Sequence, residues 1–179
     1  LMRRGRPFWS ILEEGGISAS LLQLPANFPV ELSRTRAISG MGTPDLLGGY
    51  GTFTYYSDLD VPAAEKFTGG RVVKVKVVNH TIKATLSGPA NPFRADGQTT
   101  EIEFSVERDP VEPVARIKIQ DAELILKQGE WSEWIPLKFS VLPLFSSIAG
   151  MVRIYLQEAH PNFRLYFSPI NIDPMDPEL

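Results

Sequence analysis

From Gly69 onward the chain alternates. In "RVVKVKVVNHTIKATLSG", Val73, Val75 and Val77 fall on one side and Lys74 and Lys76 on the other. That two-residue period marks a strand with one face in a core and one in water. Asn79-His80 predicts a turn, and alternation resumes through Ile82, Ala84 and Leu86, so the segment reads as a hairpin. "TEIEFSVER" repeats the pattern, with Ile102, Phe104 and Val106 inward and Glu101 and Glu103 in water. "VARIKIQDAELILKQGEWSEWIPLKFSVLP" predicts two or three more strands with Ile117 and Ile119 inward, and "GMVRIYLQ" and "FRLYFSPINI" predict the last pair. Seven or eight short strands between Gly, Pro, Asn and Asp turns predict a mainly β fold, an antiparallel β-sandwich or barrel-like domain.

The first residues follow a different period. "RPFWSILEEGG" predicts a short helix: Pro7 suits its first turn, Phe8, Ile11 and Leu12 fall on one face, and Gly15 or Gly16 ends it. "ISASLLQLP" predicts a buried strand ended by Pro25. Helix, glycine stop and buried strand make half of an α/β unit without the strand that precedes the helix.

Between the two regimes lies "SGMGTPDLLGGYGTFTYYS", residues 39–57, with five glycines. A phosphate cradle places its glycines at a helix N-terminus. Here the aromatic, β-forming "TFTYY" follows, so the glycines are expected in turns where the chain changes direction. Ligands of α/β folds gather at the carboxyl ends of strands, where "PANFP" lies. Asn27, Thr43 and Asp45 are accordingly the candidate substrate-contact residues.

Composition narrows the classes. The chain has 179 residues, 43% hydrophobic and 22% charged, as globular proteins do. A net charge of −3 provides no general attraction to nucleic acid, and no apolar run approaches the ~20 residues of a membrane span, so neither partner is expected. "RGRP", Arg4 to Pro7, matches the core of a minor-groove hook, but Phe8 and Trp9 open an amphipathic helix directly behind it. Zero cysteines exclude disulfides, thiolate metal sites and a cysteine nucleophile.

The candidate chemistry is sparse. His80 and His160 are the only histidines, neither with a partner at metal-ligand spacing, and both are expected in solvated turns. "NHT" has the form of a glycosylation sequon that a turn explains. Trp131 and Trp134 present rings suited to sugars, but residues three apart on a strand face opposite ways, so one is expected in the core and one near an edge. Asp173 and Asp176, each followed by Pro, predict an extended segment and not a calcium loop. No nucleophile, base and metal constellation assembles.

"RGRPFWSILEEGGISASLLQLPANFPVE", "AISGMGTPDLLGGYGTFTYYS" and "FRLYFSPINIDPMDPEL" together resemble the middle of a bacterial protein of the type I phosphodiesterase/nucleotide pyrophosphatase family, in the alkaline phosphatase superfamily. The resemblance implies an α/β hydrolase core with a Thr or Ser nucleophile and two divalent metals, usually zinc, held by Asp and His. Neither the nucleophile nor any metal ligand falls on a residue of this chain. Residues 1–39 would then be a remnant of that core, 40–168 a β-rich insert domain, and 169–179 the return toward the core. The expected role is that of a non-catalytic insert shaping substrate access, with the rest of the hydrolase core and the parent's phosphoester substrate as partners. The alternative is a non-enzymatic β-sandwich that binds carbohydrate or a protein partner through Trp131 or Trp134.

Overall fold

The computed structural model describes residues 5–25, 27–28, 30, 33–60, 69–94, 97–142 and 145–173, and the chain divides into two compact units, Leu1–Pro44 and Asp45–Leu179. Arg4 and Asp176, singled out above, lie outside the described residues.

The first unit holds helix α1 (Phe8–Glu14) and strands β1 (Ser20–Leu24) and β2 (Arg36–Ser39), which pair in parallel. Pro7 precedes the helix with its fixed extended backbone, and Gly15 ends it, donating its N–H to the Ile11 carbonyl. The Glu13 carboxylate accepts the backbone N–H of Thr35, and bonds from Thr35 and Ser33 hold its pKa below the ordinary value. Arg6 is ion-paired to Glu14 and so is committed within this unit.

Two expectations fail here. The helix buries Trp9, while Phe8 and Ile11 stand 54% and 56% exposed. The indole offers the larger apolar surface, so it wins the covered side, with Phe8 edge-on against it at 5.2 Å. β1 is not buried along its length: only Leu21 is, while Leu22 and its register partner Ile38 both face out, because a lone two-stranded sheet has one covered face.

The second unit is mainly β. Its strands are β3 (Phe53–Ser57), β4 (Gly70–Lys74), β5 (Thr81–Ala90), β6 (Thr99–Arg108), β7 (Val114–Ile119), β8 (Ala122–Lys127), β9 (Glu130–Trp131), β10 (Ile135–Leu142), β11 (Ser146–Val152), β12 (Ile154–Glu158), β13 (Arg164–Phe167) and β14 (Asn171–Ile172). They form an antiparallel four-stranded sheet in the order β5-β6-β7-β8, a five-stranded sheet β4-β3-β13-β12-β9 and a three-stranded sheet β10-β11-β14. None of these sheets closes on itself among the described residues. The excess over seven or eight strands comes from two-residue strands such as β9 and β14, and from the break at Arg153, where the chain passes from one sheet to another.

The alternation holds where it was read. Ile102, Phe104, Val106, Ile117 and Ile119 are buried, as is Val75, with Val73 and Val77 packed partly against the same core. Lys74, Lys76, Glu101 and Glu103 are exposed. The hairpin pairing fails: β4 lies parallel to β3, and a single bridge, Val78 to Thr81, closes the turn at Asn79 and His80. Val75 marks where the chain leaves β4, its N–H bonded to the Ser57 carbonyl, so the two alternating runs serve different sheets.

One core joins the sheets. Ile82, Phe104 and Ile117 come from the four-stranded sheet, Tyr56, Leu156 and Phe167 from the five-stranded one, and Leu137, Phe139 and Val152 from the three-stranded one. The Tyr56 ring lies against Phe104 at 5.0 Å and Phe167 at 5.4 Å, and its hydroxyl donates to the Thr85 carbonyl on β5 at 2.7 Å. Side-chain amides add a second tie. Gln120, in the β7–β8 turn, donates to the Lys138 carbonyl at 2.7 Å and accepts the Lys138 N–H at 3.0 Å, while Asn91 donates to the Val141 carbonyl at 2.8 Å.

Candidate functional site

The glycine-rich segment does cradle an anion, and the anion is its own Asp45. That carboxylate accepts backbone N–H groups from Leu47 (3.0 Å), Gly49 (2.8 Å), Gly51 (3.1 Å) and Thr52 (2.8 Å). Gly48 at φ +78° and Gly51 at φ +116° supply the left-handed backbone that turns successive N–H groups toward one point. Asp45 is 5% exposed. Burial alone raises its pKa, but the N–H groups of Thr52, Gly49 and Gly51 outweigh it and hold the carboxyl below its ordinary value. With its oxygens taken by the loop, Asp45 acts as an internal staple.

The other two candidates also have local partners. Thr43 is exposed, its hydroxyl and N–H both donating to the Gly40 carbonyl, at 2.8 and 3.1 Å. Asn27 is 3% exposed, and its backbone carbonyl accepts the Ser39 hydroxyl at 2.6 Å. Asn27 and Thr43 belong to the first unit and Asp45 to the second.

The zinc that the family resemblance implies finds no donor set: among the described residues no three His, Cys, Asp or Glu side chains are grouped to hold a metal. His80 sits exposed in its left-handed turn, and the His160 ring nitrogen Nε2 donates to the Asp109 carbonyl at 2.6 Å. Among the described residues, therefore, no group fits a resident metal. Glu101 and Glu103 lie exposed on the outer side of β6, where Glu103 faces Thr85 across the strand pair. No helix among the described residues is long and apolar enough to cross a membrane.

The tryptophan expectation is overturned. Trp131 and Trp134 are 44% and 46% exposed, and Ser132 between them is the buried residue. β9 is only two residues long, so the alternation that would bury one ring stops before Trp134. The Ser132 hydroxyl instead accepts the Ile154 N–H at 2.8 Å, anchoring the edge of the five-stranded sheet.

Trp131 does not stand alone. Tyr55 on β3 faces Tyr166 on β13, Tyr166 faces Tyr155 on β12, and Tyr155 faces Trp131 on β9. Phe53 stacks on Tyr166 at 5.3 Å and rests where Gly70, lacking a Cβ, leaves room for its ring. Sequence reasoning missed this row. The available signal was the outward aromatics, Phe53 and Tyr55 in "TFTYYS", Tyr155 in "RIYLQ" and Tyr166 in "FRLYF", but only the strand order makes them neighbours.

No protein-family model, curated protein or solved structure matches this chain.

Proposed function

We propose that the chain is a β-rich insert of a metal-dependent phosphoester hydrolase of the type I phosphodiesterase/nucleotide pyrophosphatase kind, carried on a short α/β remnant and shaping access to a cleft whose catalytic residues lie elsewhere in the parent. One observation carries this reading: within the second unit, the segments at Leu46 and Ile170 lie side by side. The Leu46 N–H donates to the Ile170 carbonyl at 2.7 Å, as an inserted domain requires of the points where it leaves and rejoins its host. The parallel β1–β2 pair supports the remnant, because parallel sheets are normally covered on both faces and Leu22 and Ile38 form an uncovered apolar pair. Three sheets feeding one core support a sandwich arrangement of the insert.

A tethered module of this kind grips the non-reacting part of a substrate and helps exclude water. The test is excision of residues 47–169 from the full-length hydrolase, with Leu46 and Ile170 joined through about four Gly/Ser residues. Metal content should be retained, and kcat/KM for the natural substrate should fall at least ~10-fold further than for a small aryl ester. Equal losses on both substrates, or none, would remove the assigned role. The isolated chain should also leave aryl phosphate mono- and diesters intact with zinc or manganese supplied, since it brings no nucleophile with its base; turnover clearly above a buffer blank would overturn the insert reading.

The exposed aromatic row favours a second reading, a non-enzymatic module that binds carbohydrate or a protein through Trp131. Trp134 is equally exposed but stands outside the row.

A further inference from the structure

The outward face of the five-stranded sheet combines flat rings, phenol hydroxyls and one uncommitted cation. The register row Tyr55–Tyr166–Tyr155–Trp131 crosses four neighbouring strands, about 14 Å at the usual strand spacing. At its β9 end the Trp131 ring lies 5.0 Å from Tyr155 and 5.7 Å, edge-on, from Tyr166. Arg153, two residues before Tyr155 and on the same side, holds its guanidinium 5.4 Å from the Trp131 ring.

Arg153 is fixed but not neutralised. Its Nε donates to the Ser132 carbonyl at 2.8 Å, and it has no ion-pair partner among the described residues. Arg153, Tyr155 and Tyr166 are each only half-buried. Nearby, Arg164 pairs with Glu158 at 3.1 Å, and Glu130 keeps its charge while accepting the Lys127 N–H at 2.8 Å.

From this arrangement we infer that the Trp131 end of the row binds an acidic saccharide, a proposal that rests on the second reading above and narrows it. The apolar C–H face of a sugar ring packs on the exposed indole. Its carboxylate takes the free fork of Arg153, whose planar N–H groups match a carboxylate in pairs. The hydroxyls of Tyr155 and Tyr166 meet the hydroxyl rim of the next ring. A single fixed cation matches one charge per sugar unit.

The probe is tetragalacturonate, titrated calorimetrically into the whole chain beside its methyl ester, which keeps the rings and removes the charge. The acid should bind at least ~10-fold more tightly than the ester. Trp131→Ala should weaken the acid by ~10-fold or more, with Trp131→Phe as the variant that keeps a ring in the packing. Arg153→Gln should bring the acid down to the level of the ester and leave the ester unchanged, and Trp134→Ala should change neither. Near-ultraviolet circular dichroism checks that each variant keeps its packing. Acid and ester binding equally, with both lost in Trp131→Ala, would overturn the acidic assignment and leave a neutral carbohydrate face standing. Binding of neither probe would overturn both, as would binding that survives Trp131→Ala undiminished.

Discussion

Phe167→Ala is expected to destabilise the second unit by about 4 kcal/mol, the scale of a large buried ring removed from a packed core. Phe167 is fully buried and lies 5.0 Å from Phe104 and 5.4 Å from Tyr56, so its loss opens space where two sheets meet. The neighbours are poorly placed to fill that space. Tyr56 is pinned through its hydroxyl to Thr85, and Phe104 sits in the middle of β6, paired on both sides. Tyr56→Phe should cost less, about 1 to 2 kcal/mol, because it mainly strands the Thr85 carbonyl. Urea unfolding in a Trp9→Phe background checks this, since Trp131 and Trp134 then report on the second unit alone. Fluorescence and far-ultraviolet dichroism should move together to one lower midpoint, because the sheets share a core. A loss below about 1 kcal/mol, or midpoints that separate, would show that the sheets do not depend on the ring.

Asp45→Ala should cost about 3 kcal/mol, since four backbone N–H groups lose a charged acceptor at once and only partial hydration replaces it. Asp45→Asn should cost roughly half as much, as one oxygen remains to accept. The pH dependence has a definite sign. The carboxyl is held below its ordinary value in the folded chain, so its contribution is complete above the unfolded carboxylate range near pH ~4 and is lost as pH falls toward the lower folded value. Stability measured from neutral pH into acid should therefore drop more for the native chain than for Asp45→Asn. Parallel curves would mean that the staple does not titrate with folding.

The strand faces were legible and the strand partners were not. Alternation places Phe104 inward and Glu103 outward because each position's environment is set by the pleat of its own strand. Nothing local tells β4 to lie parallel to β3 instead of folding back on β5, because that choice depends on where the shared core needs Val75. Trp131 and Trp134 failed for a related reason: periodicity presumes a strand long enough to repeat, and β9 is two residues. The glycine segment was legible as a set of turns, but its organising charge was not. Asp45 was picked out as a ligand contact on its place after a core strand, and nothing in the spacing indicated that the loop itself would consume its oxygens.

The side-chain amides of Gln120 and Asn91 that bond to β10 bear on how the protein behaves at high concentration. β10 alternates buried Ile135, Leu137, Phe139 and Val141 with outward residues, and it is an edge strand. Such an edge invites a second molecule to add a strand and start a fibril. Here the open backbone edge offers little to copy. Pro136 has no N–H, both backbone groups of Lys138 are taken by Gln120, and the Val141 carbonyl is taken by Asn91. An incoming strand would have to displace two amides and approach a lysine, so this edge resists self-association through its own hydrogen bonding, without a covering helix.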